Sequence, residues 1–443
     1  MFIMPNLAQM IKIALDNGEV AAIVGQRHYS GAPVLGWDQN YHRNHSTRVF
    51  HAYGLGGSGL TLAPSLGEYI STEVGNRAIA EDHLEPSDII VFGAGYIGIL
   101  AALELRRLLN KRHKPHIKVR VIAQAYPKGI SELISGFREP RQQDNYSSQT
   151  AGGWVMPVSI DPLEDHQLWC SLIHRAQVIW QNYTQTPPLS GATRITQSWV
   201  FYDQLSDTEN PEDKSGIRTV NQTCPFNLYP EHPISDTFYS APFYSGAFQQ
   251  ASQPLHFDRV VAFDNIIQTE TVSVLQYFTR QLLEEKVQLI QTEHPVENFN
   301  QLSEYFTKTG KNLIVNASGH GAHSVFGCRP SQPIRGDLVL LRLPVHQVTE
   351  SMDKASGYSF WAGGCHYVFL RYSMDRQWLE VVLGGTFIKN DDDLTTRPAT
   401  VQHILNFWLE FFHFGSVGHE SSHRSVSDLV NQVLVRLNLQ AAA

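Results

Sequence analysis

The stretch Asp88-Ile-Ile-Val-Phe-Gly-Ala-Gly-Tyr-Ile-Gly98 decides how the rest of the chain is read. Asp88–Phe92 is a short apolar run rich in β-branched residues, the pattern of a buried strand. Gly93, Gly95 and Gly98 then form Gly-x-Gly-x-x-Gly. Ile99–Leu109 continues with helical spacing and small Ala101 and Ala102, and Ile117–Ala123 is a second apolar strand. Strand, glycine turn, helix and strand follow within about 35 residues, as in a dinucleotide-binding βαβ unit. There the first glycine makes the tight turn, the second lets the backbone approach a pyrophosphate, and the third lets helix and strand pack closely. Tyr96 and Ile97 open the helix, where free N–H groups favour an anion. Gln124 stands at the end of the second strand, where an acidic residue usually bonds the ribose hydroxyls. An amide can bond a ribose too, but it departs from the pattern.

Two more segments are rich in small residues. Gln149-Thr-Ala-Gly-Gly-Trp-Val-Met-Pro157 sets Ala151, Gly152, Gly153 and Trp154 in a run against which a flat ring can lie. Tyr53-Gly-Leu-Gly-Gly-Ser-Gly-Leu-Thr61 offers Gly56, Gly57, Ser58, Gly59, Leu60 and Thr61 as a second such surface. A helix starting there would point N–H groups at an electron-rich edge. Each segment alone also reads as a tight loop. Around them the patterning predicts a helix over 5–17, a strand over Val20–Val24, and loop with short strands over 25–46. It further predicts a strand over 48–53, a helix from Thr61 ending before Gly75, a polar connector over 71–87 and a polar excursion over 126–150. Beyond these it predicts helices near His166–Thr184 and Thr271–Glu285, a long irregular insertion over 203–255, and strands at Val287–Gln291, Leu313–Gly319 and across 337–387. Two helices, near Thr400–Phe412 and Ser425–Leu439, end the chain.

Composition narrows the function classes. Of 443 residues, 42% are apolar and 17% charged, which suits a packed chain rather than a disordered one. Lys and Arg number 34 against 42 Asp and Glu, a net charge of −8, so a nucleic-acid partner is not expected. No run of about eighteen apolar residues suggests a membrane span, and the N-terminal residues do not read as a secretion leader. Cys170, Cys224, Cys328 and Cys365 are scattered without a Cys-x-x-Cys and read as free thiols of a cytoplasmic protein. His419-Glu-Ser-Ser-His423 matches a zinc pattern. Gly415 and Gly418 precede it and Ser421-Ser422 interrupt it, so it reads as a helix start, and no metal is assigned. His42/His45 and His320/His323 read as loop histidines.

Together the glycine segments resemble the D-amino-acid oxidase family of FAD-dependent oxidoreductases. The fingerprint with Ala101-Ala-Leu-Glu-Leu-Arg106 is similar to that family's opening, and Ala151–Pro157 with Asp161-Pro162 to its flavin loop. Ile314-Val-Asn-Ala-Ser-Gly319 and Arg335-Gly-Asp337 resemble a later FAD strand and turn, with Ser318 and Gly319 at the cofactor. Val382-Leu-Gly-Gly-Thr-Phe387 resembles a strand of the substrate domain, and His51–Thr61 resembles the family's last FAD motif. In the family that motif comes last; here it precedes the fingerprint, which suggests a circular permutation. The resemblance implies an α/β Rossmann-type FAD domain from 40–165 and 255–335. It also implies an α+β substrate domain with a mixed or antiparallel sheet from 1–39, 166–254 and 336–443.

The resemblance also implies a reaction: oxidative deamination of a D-amino acid to an imino acid and then a keto acid, with peroxide formed from oxygen. Arg27 matches the arginine that pairs with the substrate carboxylate, although His28 stands where the family has proline. Tyr367 matches a tyrosine that holds the same carboxylate, and the Gly57 carbonyl matches an acceptor for the substrate amine. A second family tyrosine is Gly363 here, a gap that Trp361 or His366 would fill. Two alternatives stay open: a glycine or secondary-amine oxidase of the same fold, toward which Gly31-Ala-Pro-Val-Leu-Gly36 leans, and a flavin-binding protein with little turnover. The expected partners are a small amino acid or amine and molecular oxygen, with no membrane; a homo-oligomer is compatible with this reading.

Overall fold

The computed structural model describes residues 6–38, 47–80, 86, 88–157, 160–203, 230–233, 257–306, 312–362, 366–414 and 422–439. Fifteen strands among them join one hydrogen-bonded sheet. They are β1 (Glu19–Trp37), β2 (Thr47–Leu55), β3 (Asp88–Phe92), β4 (Lys118–Ala123), β5 (Trp154–Val155), β6 (Thr193–Asp203), β7 (Glu231–Pro233) and β8 (Phe257–Thr269). They continue as β9 (Gln288–Gln291), β10 (Asn312–Asn316), β11 (Gln332–Pro344), β12 (Tyr358–Ala362), β13 (His366–Tyr372), β14 (Trp378–Gly384) and β15 (Ile388–Lys389). The spatial order is β5-β8-β6-β12-β13-β14-β11-β1-β2-β10-β3-β4-β9, with β15 on β11 and β7 on β8.

One half of the sheet, β2-β10-β3-β4-β9, is entirely parallel. Such strands are buried on both faces, and β3 and β10 are buried along their whole lengths. The βαβ unit forms as its sequence predicts: β3, then helix α3 (Tyr96–Lys111), then β4. Its third glycine is a packing requirement, because a Cβ on Gly98 would lie 1.9 Å from the Gly93 carbonyl oxygen. A buried ion pair between Arg120 and Asp88 (2.6 Å) ties the start of β3 to β4. The other half is mostly antiparallel, with one parallel pairing between β6 and β12. On it pack α1 (Leu7–Asn17) and helices 398–414 and 422–436, which share a core of residues such as Met10, Ile11, Trp408, Phe411 and Val433. The Asn6 side chain starts α1 by accepting the Gln9 amide at 3.1 Å.

β1 joins the halves. It pairs with β11 from Glu19 to Tyr29 and with β2 from Tyr29 to Trp37, and its register shifts between Tyr29 and Val34. The sequence predicts mostly loop beyond Val24, but the strand runs on to Trp37. Gly31 and Gly36 take positive φ there, so they bend the strand rather than end it. The sequence also predicts that the second helix stops before Gly75 and that residues from 71 onward are a connector. α2 (Gly59–Ala80) instead continues to Ala80. Gly75 is a contact point: a Cβ there would lie 2.4 Å from Leu108 of α3, as one on Gly67 would meet the Leu100 backbone at 3.0 Å. The two glycines form a seam that lets α2 and α3 approach closely.

Most of the predicted insertion over 203–255, together with Gly363, Cys224, Cys365, His42, His45 and residues 419–421 of the zinc-like pattern, lies outside the described residues. Gly67→Leu would force the helix seam apart and is expected to cost about 1–3 kcal/mol, read as a lower midpoint in urea denaturation.

Candidate active site

A cavity of about 1140 Å³ opens where β1 changes partners. The expected residues Gly93, Gly95, Tyr96, Ile97, Gln124, Ala151, Gly152, Gly153, Trp154, Ser318, Gly319, Gly56, Gly57, Gly59 and Leu60 all line it, as do Arg27 and Tyr367. Three expected cofactor residues are not in its wall. Gly98 is spent on helix–strand packing, as described above. Thr61 points inward and donates from Oγ1 to the Met156 carbonyl at 2.8 Å. Ser58 is fully buried, with its amide on the Leu55 carbonyl at 2.8 Å.

At one end the cavity meets the start of α3, whose N-cap Gly95 brings no side-chain cap. Ser148 Oγ accepts the Tyr96 amide at 3.1 Å, while the Ile97 and Gly98 amides have no protein acceptor among the described residues. Two free amides at a helix start suit an anion. Tyr146 donates to the Ala94 carbonyl and lies over the same turn. Gln124 also lines the cavity, but its side chain donates to Asp144 Oδ1 at 3.3 Å. Asp144 lines the cavity as well and brings a carboxylate to the end of β4. Arg138 pairs with it, and the Arg141 amide donates to it at 2.8 Å, which together hold its pKa below the usual carboxylate range against the opposing effect of burial. Asp144 is 20 residues beyond Gln124, on a loop whose approach to β4 no local pattern announces.

At the other end four rings form a stack. Trp154 lies against Trp361 (5.1 Å) and Phe369 (5.7 Å), and Tyr367 lies against Trp361 (5.3 Å) and Phe369 (4.6 Å). Tyr367 fits only because its neighbours are bare: a Cβ on Gly384 would sit 2.2 Å from its ring. Of the two residues expected to fill the gap near Gly363, Trp361 lines the cavity and His366 does not. The strand alternates, so His366 faces the opposite side. There it lies on the Phe407 ring (3.8 Å) and shares a hydrogen bond with His403 (3.0 Å).

Arg27 reaches the cavity beside Phe387, with its guanidinium carbon 5.8 Å from that ring. Among the described residues it has no carboxylate partner. His28, the departure from the family's proline, lies next to His320 with ring centres 5.2 Å apart. Burial, and then His320, lower its pKa to about 4, so it is neutral at pH 7. Ser318 is oriented from outside the cavity. Its hydroxyl donates to Asn316 Oδ1 (2.7 Å), the Asn316 amide meets His51 Nδ1 (3.0 Å), and His51 Nε2 meets Asp38 (2.9 Å).

The segment that carries Phe387 is fixed by Arg335, which is fully buried. Its guanidinium binds both Asp337 oxygens, at 3.0 and 2.6 Å, and the carbonyls of Asp393 and Thr395. Removing one side of a buried pair typically costs about 3–5 kcal/mol. Arg335→Met should therefore lower the urea midpoint by that equivalent, and an unchanged midpoint would refute the clamp.

No protein-family model matches the chain, and no curated protein matches it. Among solved structures it is similar to a glycine oxidase from Geobacillus kaustophilus, with 12% identity, 73% of this chain and 77% of that one covered, and a TM-score of 0.45. It is also similar to an L-proline dehydrogenase from P. horikoshii (15% identity, 74% and 77% covered, TM-score 0.42). An iminodiacetate oxidase from Chelativorans sp. BNC1 is a third (14% identity, 74% and 79% covered, TM-score 0.42).

Proposed function

We propose that this chain is an FAD-dependent oxidoreductase that oxidises the carbon–nitrogen bond of an amino acid or amine. The observation that carries the reading is one cavity with a glycine-lined helix start at one end and, at the other, an arginine without a carboxylate partner among the described residues. The lining fits the cofactor in three respects. The Ile97 amide, on the wall and without an acceptor among the described residues, suits its phosphates. The bare backbone at Gly152 suits a flat ring, since a Cβ there would already meet the cavity-lining rings of Phe369 and Tyr367 at 3.0 and 3.4 Å. Trp154 Nε1 and Asn145 Oδ1, both on residues of the wall, are buried without partners among the described residues. Bound there, FAD would supply the acceptor for two electrons and pass them to oxygen or another oxidant.

The chain's own residues would then do the positioning. Arg27 binds the substrate carboxylate through a planar fork of donors. The Gly57 carbonyl accepts from the amine, and Tyr367 with Trp361 closes the apolar side and excludes water. Holding the reacting groups in one orientation is the main catalytic contribution, as no side-chain base is needed. The alternatives of a D-amino acid, glycine or a secondary amine as substrate differ in what lies beyond the amine. We further propose that the connectivity is permuted. In support, β2, which bears the glycine motif resembling the family's last segment, precedes β3 in the chain yet lies beyond β10 in the sheet.

The test is the visible spectrum of the purified protein under anaerobic conditions, before and after adding D-amino acids, glycine and sarcosine separately. Oxidised-flavin bands that bleach with one class support the reading. A protein that cannot be reconstituted with FAD overturns it. In the active protein, Arg27→Ala should lower kcat/KM by about 10²-fold, the loss of one charge-assisted bidentate contact, while the flavin spectrum is retained.

A further inference from the structure

We infer that the Arg27 end of the cavity takes a substrate with two carboxylates, an acidic amino acid or an amine bearing two acid groups. The inference rests on the amine-oxidation reading for its chemistry and on a separate observation for its charge. Arg27 on β1 is directly opposite Ile334 on β11, and Ile334 is directly opposite Lys389 on β15. Directly opposed residues share a face of the sheet, so Arg27 and Lys389 flank Ile334 in one row. With neighbouring strands about 4.8 Å apart, their backbones lie roughly 10 Å apart. Both line the cavity.

Neither cation has an anionic partner among the described residues. The nearby acids are taken. Asp337 is held by Arg335, and Asp391 and Asp393 are held by Arg397 at 2.8 and 3.0 Å. Asp392 is exposed and lies outside the cavity wall. Arg335 and Arg397 thus engage carboxylates that could have neutralised Lys389 and leave two cations in register at the cavity. One carboxylate engages only one of them. A second, carried two or three bonds further on, can reach the other. Lys389 is the specificity-determining group of the pair; Arg27 serves the carboxylate shared by all α-amino acids.

The test compares acids with their amide isosteres on the holoenzyme. Calorimetry measures binding of glutarate against its monoamide, and turnover compares D- and L-aspartate and glutamate with asparagine and glutamine. The expected result is a preference of about tenfold or more for the diacid, in binding and in kcat/KM for the oxidised enantiomer, that falls to near unity in Lys389→Met. Equal treatment of acid and amide, or a preference that survives in Lys389→Met, overturns the inference. Loss of FAD from Lys389→Met with the preference intact also overturns it, because Lys389 would then serve a cofactor phosphate. If the diacid binds preferentially through Lys389 but no amine reduces the flavin, the paired-cation site stands and the amine-oxidation reading fails.

Discussion

The fully buried guanidinium of Arg335 is the constraint on which the cavity's shape depends. A charge removed from water is tolerated only when its donors are matched. Asp337, two residues along the same strand, takes two of them, and the carbonyls of Asp393 and Thr395 take others. Those carbonyls belong to the segment that follows Phe387, so satisfying one charge folds that segment back over the sheet. Thr386 closes the loop: its hydroxyl donates to Asp337 Oδ2 at 2.6 Å and accepts the Asp337 amide at 2.9 Å. The same segment presents Phe387 and Lys389 to the cavity. Gln26 reaches from β1 to the Asp391 carbonyl at 3.3 Å and accepts from Asn145 at 2.5 Å. One ion pair therefore connects the substrate end of the cavity to the loop at the phosphate end.

Missing side chains do the complementary work. Gly25 lets Thr150 in at a position where a Cβ would lie 2.2 Å from its hydroxyl, and Gly54 does the same for Ser30 at 1.9 Å. Gly93 has φ +110° and faces the Ala317 carbonyl, where a Cβ would come within 2.4 Å. Each approach joins two separate segments, and Gly25, Gly54 and Gly93 all line the cavity. Glycine in the middle of a strand costs roughly 0.5–1 kcal/mol relative to alanine. The Trp154, Trp361, Tyr367 and Phe369 stack adds buried ring area beside these positions, where aromatic pairs contribute about 0.5–1.5 kcal/mol each.

What was legible in the sequence was local. β3, the glycine turn, α3 and β4 are contiguous, and their requirements are written in adjacent residues. The Gly56–Leu60 and Ala151–Trp154 surfaces were legible for the same reason. The misreadings arise where a residue's role is set by something distant. Gly75 reads as a helix stop because its partner, Leu108, cannot be seen from its neighbours. Thr61 and Ser58 stand in the same glycine motif as the wall residues, and that Thr61 turns to the Met156 carbonyl is not written in its neighbours. Asp144 and the Arg27–Lys389 row were invisible, since each needs a pairing between segments that local pattern does not specify. His366 and Trp361 could not be told apart as gap fillers until strand alternation showed which of them faces the cavity.

The cavity's position follows from strand direction more than from chain order. In open parallel sheets, ligands bind beyond the carboxyl ends of the strands. Here Gly93 follows β3, Gln124 follows β4, Ala317 and Ser318 follow β10, and Gly56 follows β2. All four strands are parallel, so all four deliver their ends to one edge. Nothing in that geometry requires β2 to come last. What it requires is that β2 run beside β10 in the same direction and that a helix carry the chain back to the opposite edge. α2 does this by packing along α3 through Gly67 and Gly75. A chain that meets those two conditions builds the same four-sided mouth whether the glycine motif of β2 stands before the βαβ unit or after it. β1 then adds the fifth side, because a strand that pairs with β2 at one end and β11 at the other passes the mouth close to its point of exchange at Tyr29, two residues after Arg27.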